Sequence, residues 1–162
     1  MEKLQRRRTF LLATARTAAA AILAPRLRAD DVPVDPWSKS ELMEPGRLAK
    51  LLNSSGEPKV ICVAFPVLYR QRHVLRAVLA GPTSKPEGLT ALREAVQDLP
   101  RSSEIVIYCG CCPMQKCPNI RPAYQTLKDL GFTRIRVLEL PTNFHTDWVA
   151  KGYPVAESTH AE

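Results

Sequence analysis

The sequence predicts an α/β domain built on a parallel sheet that is covered on both faces. Two short, almost wholly apolar runs carry that reading, KVICVAF at 59–65 and EIVIY at 104–108. A strand buried on both sides needs no polar alternation, so it reads as a continuous hydrophobic run. A third run, RIRVLEL at 134–140, follows them, and segments with apolar residues at helical spacing lie between. Strands alternating with helices of roughly ten residues imply crossover connections and hence parallel pairing.

The first 29 residues stand apart from that domain. Arg6, Arg7 and Arg8 precede Thr9-Phe10-Leu11-Leu12, and an alanine-rich stretch runs on to Ile22 and Leu23. A basic region followed by a short apolar one reads as an export signal, and paired arginines before Phe-Leu point to the twin-arginine route. Arg16 interrupts the apolar stretch, which falls short of the ~20 residues that a membrane-spanning helix needs. The expectation is therefore a signal peptide over 1–29, a periplasmic or secreted product, and no stable membrane insertion once the signal is gone. The signal also accounts for the formal charge of +7. Of the 23 Lys and Arg, seven lie in residues 1–29 with one of the 16 acids, so the rest carries 16 bases against 15 acids. The basic excess is a targeting device, not a nucleic-acid footprint, and no partner of that class is expected.

Along the mature chain, 30–36 is polar, contains proline and reads as a linker, with the domain over 37–157 and a tail at 158–162. Ser38 and Glu41 form a capping-box pattern before a short helix carrying Leu48, Leu51 and Leu52, with Pro45 breaking its middle. After the first strand, 70–86 reads as irregular with a short strand or turn, and Ser84 with Glu87 forms a second capping-box pattern. Leu89, Leu92, Val96 and Leu99 then mark a helix. Beyond the second strand, Pro122 suits a helix's first turn, Ile120, Tyr124, Leu127 and Leu130 form its apolar stripe, and Gly131 supplies its left-handed stop. A last short helix over 146–151 is closed by Gly152.

Four of the five cysteines fall within nine residues, Cys109, Cys111, Cys112 and Cys117, directly after the second strand. In open α/β sheets ligands bind at the carboxyl ends of the strands, which is where Cys109 stands. The helix that follows offers unpaired N–H groups and a partial positive charge. Arg121 at its start adds a full one. Together these lower a nearby thiol's pKa from about 8.5 and favour the nucleophilic thiolate. Cys109 has the best position. Cys117, four residues before Arg121, is its rival or a resolving thiol that attacks a sulfur adduct on Cys109. Cys109 to Cys112 is also a CxxC spacing, which suits dithiol chemistry or metal chelation, although no second CxxC is present. Cys62, inside the first strand, reads as a core residue, and His145 as a cleft-edge candidate.

Residues 37–156 resemble the rhodanese-like domains. The resemblance rests on IVIYC with Cys109 directly after its strand, on RPAYQTLKDLGFTRIRVLEL for the next helix and strand, and on DWVAKGYPV near the end. HVLRAVLAGP at 73–82 matches a further segment more loosely. It implies a three-layer fold with a central parallel sheet of about five strands flanked by helices. It also implies transfer of sulfane sulfur from a small sulfur-containing anion to a thiol acceptor, with no cofactor and no metal. Carried over, Cys109 is the sulfur-carrying nucleophile, the backbone amides of Gly110, Cys111 and Cys112 bind substrate, and Arg121 closes that anion cradle. Two departures stand out. Cys109 to Arg121 spans twelve positions, far longer than the family's loop, and Ala64 and Phe65 stand where the family carries charge after its first buried strand. A metal-binding or thiol-redox module on the same scaffold is the competing expectation.

Overall fold

The structure is a computed structural model that describes residues 34–54 and 56–158. The signal assigned to 1–29, the first part of the 30–36 linker and the end of the tail lie outside the described residues. In chain order the elements are β1 (Leu42–Met43), α1 (Pro45–Leu51), β2 (Lys59–Cys62), α2 (Pro66–Gln71), β3 (His73–Val74), β4 (Val78–Leu79), α3 (Pro86–Val96), β5 (Glu104–Tyr108), α4 (Ile120–Asp129), β6 (Arg134–Leu138), α5 (Phe144–Asp147) and β7 (Val155–Ala156).

Five strands form one parallel sheet in the order β1-β6-β5-β2-β4, flanked by helices, as expected. The central strands β2 and β5 pair from Lys59 with Ile105 to Cys62 with Tyr108, so both end at one level. Val60, Ile61, Ile105, Val106 and Ile107 are all buried, which is why neither strand alternates. Helices α3 and α4 pack against each other, and α4 lies against β5 and β6 through Ile120, Tyr124 and Leu127. Removing such a side chain, as in Leu127→Ala, costs about 2–5 kcal/mol in lost burial and cavity formation. Gly131, at φ +85°, ends α4 in the left-handed conformation that the sequence assigned to it. Among the described residues no helix is long and apolar enough to cross a membrane.

Several local expectations change. Pro45 opens α1 at its first position instead of breaking it, where its missing N–H costs nothing. The Ser38–Glu41 box is formed, the Ser38 N–H donating to Glu41 Oε2 at 2.8 Å, but it closes a 3-10 turn ahead of β1. Helix α3 starts from Lys85 with Pro86 at its first position, so Ser84 does not cap it. The stretch read as irregular contains α2, which buries none of its residues and therefore shows no apolar periodicity. The last helix starts at Phe144, and a separate 3-10 turn, Val149–Lys151, precedes Gly152.

Candidate functional site

Strand β5 runs out of the sheet at Tyr108, and Cys109, the next residue, is 3% exposed. Tyr108 is pinned there because its hydroxyl accepts the Val74 N–H at 3.0 Å. Gly110 then turns the chain with φ +74°, and its carbonyl accepts the Phe144 N–H at 3.0 Å. A Cβ on Gly110 would sit 2.6 Å from the Cβ of Phe144, so both the turn and the close approach demand glycine. That turn brings Cys111 back over Cys109, with their sulfurs 3.1 Å apart.

The rest of the long loop folds inward. Met114 is buried and donates its N–H to Leu140 O at 3.2 Å, which docks the loop on the chain leaving β6. Cys117 is buried, and its sulfur joins those of Cys109 and Cys111 in a group lying within 4.8 Å of one another. Cys112 lies outside this group, its sulfur 3.5 Å from that of Cys111.

Asn119 fastens the cluster. It is fully buried, its Nδ2 donates to Cys109 Sγ at 3.4 Å, and its Oδ1 accepts the Ser84 N–H at 3.0 Å. Its backbone carbonyl takes the Thr83 hydroxyl at 2.6 Å. The Ser84 donor fixes which end of the amide faces the sulfur.

These contacts decide where the charge resides. The pKa of Cys109 is held well below the ordinary thiol range, first by the Cys111 S–H, then by that of Cys117, with the Cys111 N–H and the Asn119 amide adding to them. Burial opposes them and loses. Cys111 is pushed up because its proton is engaged by Cys109, and Cys117 is pushed up for the same first reason, although the Asn119 N–H at the helix start pulls it down. The contacts thus favour the thiolate on Cys109 over one on Cys111 or Cys117. Of the three cradle amides that the resemblance implies, that of Cys111 reaches the Cys109 sulfur.

Arg121, at the start of α4, makes contacts of its own. Its Nη2 donates to Asp35 Oδ1 at 2.6 Å and to Gln115 O at 2.9 Å, and its Nη1 donates to Cys117 O at 3.3 Å. The guanidinium also lies over the Trp37 ring, 5.7 Å from its centroid. It ties the loop to the segment before β1, and the side chain that reaches Cys109 from this stretch is Asn119.

A cavity of about 570 Å³ opens onto Cys109 and Cys111, with Cys62 and Tyr108 in its lining, α2 contributing Leu68 and Tyr69, and His145 on the α5 side. Cys62 is therefore a cavity residue as well as a core one. Burial pushes its pKa up to about 12, so it keeps its proton at neutral pH. His73 is buried, stacked on Tyr69 at 3.8 Å, and its Nδ1 contacts Tyr69 O at 2.8 Å. Trp148 and Trp37 are buried packing residues.

No protein-family model matches the sequence, and no curated protein is similar enough to match it. Solved structures do match. The BH2092 protein from Bacillus halodurans aligns with a TM-score of 0.57 at 18% identity, over 74% of this chain and 78% of its own. The rhodanese-like domain of the Alr3790 protein from Anabaena sp. aligns with a TM-score of 0.52 at 19% identity, over 72% of this chain and 79% of its own. A further Alr3790 structure gives 0.54 at 18% identity, over 74% and 95%. The fold is rhodanese-like. On this rhodanese-like scaffold the cluster occupies the carboxyl ends of the central strands, where open α/β sheets place their ligands.

The Asn119 contact was missed from the sequence. Its signal was an asparagine directly before a helix, a residue type suited to that position, but its link to a sulfur ten positions earlier comes from the loop's return.

Proposed function

We propose that this chain handles sulfane sulfur through a persulfide on Cys109. The observation that supports the reading is the Cys109 sulfur at the end of β5, grouped with the sulfurs of Cys111 and Cys117, contacted by the Asn119 amide and placed at the mouth of a cavity, a setting that lowers its pKa. With a thiosulfate-type donor, the Cys109 thiolate attacks the sulfane sulfur, a new S–S bond forms, and the bond to the departing sulfite breaks. An acceptor thiolate then attacks the outer sulfur, takes it away as its own persulfide, and returns Cys109 as thiolate. Substrate and acceptor are a small sulfur-containing anion and a thiol. The paired arginines add export to the periplasm by the twin-arginine route, which fractionation of the native host tests directly.

The test is intact-mass analysis of reduced protein mixed with thiosulfate. A gain of one sulfur atom in the first moments of reaction, trapped by acid quenching, mapped to Cys109 and lost in Cys109→Ser, is the expected result. Full sulfur uptake in Cys109→Ser would end the assignment.

One observation favours a second reading. The sulfurs of Cys109, Cys111 and Cys117 lie within 4.8 Å of one another, and an all-sulfur set suits a soft ion. Anaerobic titration with Cu(I) or Zn(II) against a competing chelator separates the two: stoichiometric binding, lost on replacing any of the three, supports a metal module.

A further inference from the structure

The geometry points to Cys111 as a built-in resolving thiol, which makes the chain release sulfane sulfur as hydrosulfide when no acceptor thiol takes it. This rests on the persulfide reading of Cys109. Three observations carry it. The Cys111 sulfur is 3.1 Å from that of Cys109, so closing to the ~2.05 Å of a bond takes about 1 Å of side-chain travel. Cys111 is exposed, whereas Cys109 and Cys117 are buried, so only the Cys111 end of a bridge would be open to an outside reductant. Finally, the two sulfurs share a hydrogen bond, so a proton already lies between Cys111 and the sulfur that becomes the reaction centre.

The step balances within the protein. Cys109 carries the persulfide, Sγ–S⁻. The Cys111 sulfur attacks Cys109 Sγ, the Cys109–Cys111 bond forms, and the Sγ–S bond breaks. The outer sulfur leaves with the bond's electron pair and takes the Cys111 proton, departing as HS⁻. The sulfane sulfur is reduced, and the two cysteines supply its two electrons. A dithiol reductant resets the site: one thiolate attacks Cys111 Sγ, freeing Cys109 as thiolate, and its second thiol resolves the mixed disulfide, leaving the reductant oxidised. With only Gly110 between its ends, the bridge closes a short ring, and strained, exposed disulfides are the readily reduced ones.

Cys117 is the less suited partner for this task. It lies in the same group of sulfurs, but it is 1% exposed, it is not among the residues lining the cavity, and its sulfur also accepts the Asn119 N–H, so a bridge to Cys109 would present a reductant with no exposed sulfur.

The experiment uses the full mature chain, reduced, desalted without oxygen, and mixed with excess thiosulfate in the absence of added thiol. Wild type is expected to release about one sulfide per chain, lose two hydrogens and yield a Cys109–Cys111 linked peptide. Cys111→Ser is expected to stop with one extra sulfur on Cys109 and to release less than a tenth as much sulfide. Added dithiothreitol should then restart release in wild type. Equal release from Cys111→Ser, a stable persulfide in wild type, or a bridge mapping to Cys109 and Cys117 would overturn the inference while leaving the persulfide reading standing. Absence of sulfur on Cys109 in both proteins would bring down that reading and this one together. Cys111 is exposed, so Cys111→Ser should fold, and Cys111→Ala gives the same comparison without a hydroxyl.

Discussion

Asn119 donates its side-chain amide to the Cys109 sulfur at 3.4 Å while its Oδ1 holds the Ser84 N–H at 3.0 Å. One buried side chain therefore binds the reactive sulfur to the turn that precedes α3. Replacing it with alanine removes a donor from the thiolate and leaves the Ser84 N–H unsatisfied. Asn119→Ala should cost about 1–3 kcal/mol of stability and raise the Cys109 pKa. Thermal unfolding reads the first effect and the pH profile of thiol alkylation the second; an unchanged profile would show that the amide does not tune the sulfur.

The pH dependence of Cys109 has a definite sign. Its folded pKa is depressed, first by the Cys111 S–H, so its contribution to stability is full above the unfolded thiol value of about 8.5 and is lost as pH falls through the folded value. Cys111 runs the other way. Its pKa is raised, first by the same bond, so its contribution is full below the ordinary thiol range and is lost as pH rises through the raised value. Alkylation at Cys109 by a small reagent should accordingly keep a nearly constant rate from about pH 8 to about pH 6, where an ordinary thiol slows about tenfold per unit. Peptide-resolved mass spectrometry of iodoacetamide labelling checks this, and an ordinary profile would put the charge elsewhere.

Arg121 braces the loop, and its substitutions separate that role from direct anion binding. It holds Asp35, Gln115 O and Cys117 O together, partly shielded from solvent. Arg121→Ala should lower stability by about 1–3 kcal/mol through loss of charge-assisted hydrogen bonds. Arg121→Lys should recover little of it, because an ammonium cannot reproduce the planar fork. Asp35→Asn should fall the same way with a smaller loss. If Arg121→Lys kept full stability but weakened thiosulfate uptake, the residue would belong to the anion site instead.

Gly110→Ala should be among the most damaging single changes in the loop. The added methyl meets the Phe144 Cβ at 2.6 Å, and alanine resists φ +74°. Either α5 moves or the turn opens, and each separates Cys111 from Cys109. The expected readout is a lower melting temperature together with slower thiolate alkylation at neutral pH. A variant with both unchanged would show that the turn tolerates a side chain.

The central strands and the two long helices were legible in the sequence because their burial is uniform or periodic. The two-residue strands β1, β3, β4 and β7 are too short to carry any pattern, and they arise from pairing with distant segments. Cys109 was legible because its position depends only on where β5 ends. The partners of its sulfur were less so. The resemblance implied an anion-closing role for Arg121 at the start of a helix; its contact with Asp35, 86 residues earlier in a stretch read as linker, had no signal in the sequence. Cys117 drew notice as a rival nucleophile by its nearness to Arg121, and as a resolving thiol; the contact between Cys111 and Cys109 could not be read from spacing, because it follows from the positive φ of Gly110.

The closeness of Cys109 and Cys111 also bears on how long the site survives in air. A solitary thiolate in an open cavity is easily carried by peroxide through sulfenic acid to sulfinic acid, from which most proteins do not return. Here a sulfenic acid on Cys109 has a thiol 3.1 Å away. The two condense, water leaves, and the site rests as a disulfide that a dithiol can reopen. The working life of this sulfur is then set by how often it is re-reduced, not by how often it is struck.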